Sequence, residues 1–149
     1  MPKQFSHLNK AGAAHMVNVG AKPVQRRRAI AVGKLNCQPA TIRALNCKAL
    51  PKGDVLTVAQ IAGIQAAKRT GELIPLCHPL GLNCVEIAFT VRAAAIEILC
   101  TVETSAPTGV EMEALTGVSI AALTLYDMCK AVDKTMSIND IRVIEKIKE

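Results

Sequence analysis

The sequence predicts an α+β fold in which one antiparallel sheet carries two helices on a single face. Three observations lead there. Two helical patterns of different character occur, one rich in alanine after Thr57 and one apolar nearly all round after Glu111. Between them lie two adjacent runs, Val85–Val91 and Ile96–Val102, whose period of two marks half-buried strands joined as a hairpin. Alternating segments near each end complete the order strand, helix, two strands, helix, strand. Two split β-α-β units in that order describe the ferredoxin-like βαββαβ sandwich.

Each element has its own reason. Residues 1–26 mix Gly, Asn, Lys, Pro and His without sustained periodicity, which predicts a flexible N-terminal arm ordered by substrate or a neighbouring subunit. Small and apolar residues alternate from Ala29 to Leu35 as a first strand. Asn36 to Leu50 is ambiguous, with Thr41 to Leu45 open to one helical turn. Thr57 and Gln60 stand at capping-box spacing, and Lys68, Arg69 and Gly71 make a helix stop. Pro75 and Pro79 bracket Leu76, Cys77 and His78 and predict an extended, non-helical segment. Glu111 and Glu113 suit the positive first turn of a long helix reaching Val132. Ile141, Val143 and Ile147 then alternate with Arg142 and Lys146 in a last strand.

At 149 residues with 50% apolar content, the chain predicts one domain, residues 1–149, with ample material for a core. Aromatics are confined to Phe5, Phe89 and Tyr126, so aliphatic packing holds that core. The six cysteines show no spacing typical of structural zinc; buried free thiols are expected, and no metal is assigned. With no signal core and no apolar run of membrane-span length, the reading is a reduced, soluble, cytoplasmic protein. Because the second helix is apolar nearly all round, surplus hydrophobic surface predicts a homo-oligomer.

A formal charge of +6 implies an anionic partner, either nucleic acid or nucleotide. An RNA-binding module shares this element order but needs stacking aromatics on its sheet. Neither the first strand nor residues 96–104 carries one, and Phe89 shares its face with apolar neighbours.

Several residues could carry chemistry. Asp127 and Lys130 are three apart and share a helix face, either as a structural ion pair or as a proton-transfer carboxylate beside a substrate-binding cation. Lys52 beside Gly53 at the start of a helix suits phosphate, or an ordinary turn. Arg26, Arg27 and Arg28 form the densest basic patch, or a solvated segment. His78, held extended by Pro79, can present its ring to a cleft, although a single histidine is more often structural; Cys77 lacks any signal of an activated thiolate and reads as packing.

The strings K-G-D-V, A-G-I-Q-A-A-K-R-T, L-I-P-L-C-H-P-L, T-G-V-E-M-E-A-L-T and Y-D-M-C-K-A-V occur in this order. Together they resemble the cyclic pyranopterin monophosphate synthases (MoaC) of molybdenum cofactor biosynthesis, from Ser6 and His7 to Lys146. The resemblance implies a lyase that converts 3′,8-cyclo-7,8-dihydroguanosine 5′-triphosphate to cyclic pyranopterin monophosphate with release of pyrophosphate, needing no cofactor. It implies Asp127 as general acid/base, with Lys52 and Lys130 as the most important lysines. Leu76, Cys77, His78, Met112 and Glu113 match substrate-contact segments, Arg27 matches a phosphate-binding arginine, and Lys68, Arg69 and Lys146 support them. It also implies a ferredoxin-like fold in hexamers built as trimers of dimers. The alternatives are an oligomeric nucleotide-binding module without turnover and the RNA-binding domain above. Departures from the pattern are Asn18 in M-V-N-V, where aspartate is usual, Gln25 in place of threonine, and the end at Glu149 ahead of a Gly-Gly-Lys-rich tail.

Overall fold

The computed structural model describes residues 5–149; the first four residues of the predicted arm lie outside the described residues. Four strands and four helices follow one another: β1 (Gln25–Asn36), α1 (Pro39–Asn46), α2 (Val55–Lys68), α3 (Thr70–Leu73), β2 (Cys84–Val91), β3 (Ala95–Ala106), α4 (Glu111–Cys129) and β4 (Ser137–Lys148). The sheet runs β2-β3-β1-β4, and every pairing is antiparallel. This is the predicted α+β sandwich, with α2 and α4 packed on one face. The first strand begins at Gln25, so the arginine run predicted to border a loose arm is sheet, paired to Ala106–Glu103 of β3.

Alternation decides which side chains enter the core. Ala29, Ala31 and Leu35 of β1 and Ile96, Ile98, Cys100 and Val102 of β3 are buried beneath Ala114, Val118, Ala121, Ala122 and Leu125 of α4. Phe89 points to this side too, against the core, so the open face of the sheet carries no aromatic from β2. Helix α4 sits low on the sheet because Gly33 has no side chain: a Cβ there would press on Val118 and Ile141. Where α2 crosses α4, Gly63 and Gly117 let the backbones meet, and a Cβ on Gly63 would lie 2.8 Å from the Gly117 carbonyl oxygen.

Four local expectations are corrected. The cap of α2 is Asp54, whose carboxylate accepts from the Thr57 N–H (3.1 Å) and the Thr57 hydroxyl (2.8 Å), while Gln60 donates to the Ile87 carbonyl instead. The helix stops at Lys68; Gly71 belongs to α3, close to the Pro79 backbone. Residues 75–77 form a turn, closed by the Cys77 N–H on the Ile74 carbonyl (3.1 Å), because proline is as good at the second position of a turn as in an extended segment. The fourth concerns β4, whose register against β1 shifts between Ile30 and Ala31 and again between Val32 and Lys34. Val143 lies opposite Ala31 and Lys146 opposite Ala29, so both face the helices, whereas Ile147 pairs with Arg28 on the open face. An extra residue in a strand reverses the alternation beyond it, which a strict period of two does not anticipate.

Candidate active site

Most of the residues singled out from sequence fall into two groups at opposite ends of α4. At its C-terminal end, Asp127 is bracketed by two lysines. Lys52 Nζ donates to Asp127 Oδ2 at 3.0 Å and to the Asp127 carbonyl at 3.1 Å; Lys130 Nζ lies 2.8 Å from Oδ1. Helical spacing supplies the Lys130 contact. The Lys52 contact comes from the turn before α2, where Gly53 takes φ +90° and Asp54 caps the helix, so the loop holds Lys52 against α4. Hydrogen bonds from Lys130 and then Lys52, reinforced by their charges, hold the Asp127 carboxyl below its ordinary range, and Asp127 raises Lys130 in return. An ionised carboxylate at the solvent-facing rim is set to accept a proton.

The second group lines a cleft of about 310 Å³ beside the N-terminal end of α4. One wall is Leu76, Cys77 and His78; another is Thr108, Gly109, Glu111, Met112 and Glu113; the third comes from the arm, Ser6, His7, Val17, Val19 and Lys22. His78 Nε2 donates to the Val17 carbonyl at 2.6 Å, which ties the arm across the cleft and requires the proton on that nitrogen. Burial raises the Cys77 thiol, and the charge of Glu113 raises it further, so it is a poor nucleophile. Glu113 is only 4% exposed, and burial lifts its carboxyl.

The arginine run divides by strand alternation. Arg26 and Arg28 lie on the open face and pair with Glu103, Glu145 and Glu149. Arg27 points the other way, towards α4, and donates from Nη2 to the Pro107 carbonyl at 3.3 Å. Lys146, turned inward by the bulge, forms an ion pair with Glu111. Burial alone would raise Glu111, but the Lys146 hydrogen bond, the Glu111 backbone N–H and the charges of Lys146 and Arg27 together lower it. Lys68 and Arg69 are outside this lining: Lys68 borders a neighbouring groove with Ile64, Leu80 and Leu82, and the Arg69 backbone N–H closes α2.

Sequence reasoning missed the arm residues Ser6, His7 and Lys22 as cleft lining, since nothing in a loop's composition says what it lies against. It also missed Asp133, a buried carboxylate that accepts from the Gln38 N–H and the Thr41 hydroxyl and so secures α1. Its signal was the D-x-T spacing to Thr135, which closes a side-chain turn. The cysteines expected to be buried are mixed: Cys100 and Cys129 are buried, Cys37 and Cys77 partly so, and Cys47 and Cys84 exposed, all as free thiols.

The class these features define is a ferredoxin-like α+β protein with an ionised carboxylate held between two lysines at one end of its long helix and a cleft at the other. Comparison with known proteins makes the assignment specific. The chain belongs to the MoaC family, which matches residues 16–148. It is 60% identical over 145 residues to the cyclic pyranopterin monophosphate synthase of Chloroflexus aggregans, covering 96% of this chain and 88% of that one. It is 55% identical over 143 residues to cyclic pyranopterin monophosphate synthase 3 of Mycobacterium tuberculosis, covering 95% and 81%. A molybdenum cofactor biosynthesis bifunctional protein of Chlorobaculum tepidum is 54% identical over 143 residues, 96% of this chain and 46% of that longer one.

Proposed function

We propose that this chain is a cyclic pyranopterin monophosphate synthase of molybdenum cofactor biosynthesis. It converts 3′,8-cyclo-7,8-dihydroguanosine 5′-triphosphate to cyclic pyranopterin monophosphate and pyrophosphate. The observation that carries the reading is the Lys52–Asp127–Lys130 arrangement in a chain of this family.

The reaction opens a purine-derived ring, closes a pterin ring and forms a cyclic phosphate. In that last step a ribose-derived hydroxyl bonds to the α-phosphorus, the α–β phosphoanhydride bond breaks, and pyrophosphate leaves with its electron pair. Asp127, kept ionised by its lysines, takes and returns protons during ring opening and closure. Lys52 and Lys130 also offer positive charge to oxyanions that form nearby. Leu76, Cys77, His78, Met112 and Glu113 hold the heterocycle in the cleft, and Arg27 and Lys146 take the phosphates. Lys68 borders the neighbouring groove that shares Leu80 with the cleft, and with Arg69 it adds positive charge that attracts the anion.

The working unit is a homo-oligomer whose sites are shared between protomers, and the hexameric assembly of the family suits it. Helix α4 separates Glu113 from Asp127 by fourteen residues, about 20 Å at 1.5 Å per residue, so one protomer does not bring its two groups around one nucleotide. The exposed side of the helical layer is an apolar stripe, Val58 and Ile61 on α2 with Leu123 on α4. A second copy docked there about a two-fold axis perpendicular to α4 would run its own α4 antiparallel, turning its Asp127 end toward the first copy's cleft end. Such an arrangement buries the stripe and completes the site in one step.

Freshly made cyclic intermediate supplied to the purified protein should give equimolar pyrophosphate and pterin product. Saturable binding of the intermediate without product would overturn the synthase reading in favour of a module that does not turn over.

A further inference from the structure

Behind the cleft wall, Arg27 of β1 and Lys146 of β4 are diagonal neighbours on the helix-facing side of the sheet, Arg27 opposite Lys148 and Lys146 opposite Ala29; Glu111, which lines the cleft, pairs with Lys146 and feels the charge of Arg27. Three features make this more than a surface ion pair. The Glu111 side chain folds back over Gly109, and a Cβ at that position would collide with both carboxylate oxygens, so the bare glycine makes the room. Arg27 is underused: its recorded hydrogen bond runs from Nη2 to Pro107, and its Nε is buried without a partner. Glu111 itself lines the cleft and is not sealed behind it.

We propose that Glu111 is an internal counter-anion: its carboxylate occupies a seat that Arg27 and Lys146 form for phosphate, and the substrate's triphosphate takes the seat by displacing it. The inference rests on the synthase reading for the identity of that substrate. Exchange is favourable because the terminal phosphates carry more charge and more acceptor oxygens than one carboxylate, and a planar guanidinium with spare donors can use both. The pair given up is cheap, since an ion pair with a largely exposed lysine shifts an equilibrium by about fivefold at most. A carboxylate in the seat also turns away singly charged anions, so only a polyphosphate opens it. Glu111 then swings out toward solvent, away from the phosphates that replace it.

Calorimetric titration with inorganic pyrophosphate, on the full chain without nucleotide, tests this. Glu111→Gln should bind pyrophosphate roughly two- to fivefold more tightly than the parent. Gly109→Ala, which leaves the charge count alone and only crowds the carboxylate, should shift affinity the same way. Glu97→Gln, which removes one negative charge at the other end of β3, reports the effect of net charge alone. The proposal fails if Glu111→Gln binds more weakly or gains no more than Glu97→Gln, if Gly109→Ala changes nothing, or if no form binds pyrophosphate. Turnover of the cyclic intermediate separates the two readings. A protein that makes product without the Glu111→Gln gain keeps the synthase and loses the counter-anion; one that shows the gain without making product does the reverse.

Discussion

Asp127 is where chemistry and charge meet most directly. Its carboxyl is held below the ordinary range by Lys130 and Lys52, so it stays ionised at any pH above that lowered value, and the role of base proposed for it is lost only as pH falls through it. In the parent, the acid limb of kcat/KM should therefore lie below the usual carboxylate pKa of about 3.9. In Lys130→Met the limb should move to higher pH, and a profile that does not move would disconnect the lysine from the carboxylate. Asp127→Asn, at an exposed rim, should leave the fold intact and lower kcat by about 10²- to 10⁴-fold. Asp133 makes a different kind of statement. Burial works against its charge, but the Gln38 N–H, the Thr135 hydroxyl and N–H and the Thr41 hydroxyl overcome it and bring its pKa to about 2. Being lowered, it adds stability above the unfolded pKa of about 3.9, about 2 kcal/mol, which is lost as pH falls towards 2. Urea midpoints of the parent and Asp133→Asn should differ at pH 7, differ less at pH 3 and converge only as pH falls through about 2. The Asp127–Lys130 contact was legible from helical spacing alone, whereas Lys52 was tied to Asp127 only through the strings that carry the family resemblance. Lys146 was not legible as an inward residue, because a bulge leaves no trace in a periodic pattern.

Among the elements, the crossing of α2 and α4 has the least slack. Gly63 lies against the Gly117 carbonyl, Ala121 and Ile87, so the two helices share a contact with no room for a methyl group. Gly63→Ala gains helix propensity of about 1 kcal/mol but must push backbone from backbone, a cost of about 1–3 kcal/mol or more. The urea midpoint should fall, and an unchanged or raised midpoint would show that the helices part easily. The same layer protects two thiols: burial pushes Cys100 up to about 12 and Cys129 up to about 11. Cys47 and Cys84 should react first with a thiol reagent in the native protein, and Cys100 and Cys129 only on unfolding. Element order was readable because strands and helices repeat at different periods, and the alanine-rich and all-apolar helices differ from each other as well. Ends were read less well: β1 is longer than its apolar core because Gln25–Arg28 pair through their backbones, which any residue can do.

Viewed as a whole molecule, the chain places the Lys52–Asp127–Lys130 cluster and the cleft at opposite ends of one helix. If two protomers complete each site, mixing inactive Asp127→Asn with inactive His78→Ala under conditions that exchange subunits should restore roughly a quarter of the parent rate, since half the dimers are mixed and each mixed dimer keeps one intact site. No recovery despite demonstrated exchange would place each site within a single protomer. Among the described residues, no helix is long and apolar enough to cross a membrane.

Sequence by itself determined the order of elements, the apolar faces and the identity of the ionisable groups, because periodicity and residue chemistry are local properties. Tertiary structure decided which of three adjacent arginines turns inward, that Lys146 joins it, that the arm lies across His78, and that Lys52 reaches Asp127 across 75 positions of chain. Those outcomes depend on strand register, on one bulge and on where a helix ends in space, and each is settled only when the separate segments pack together.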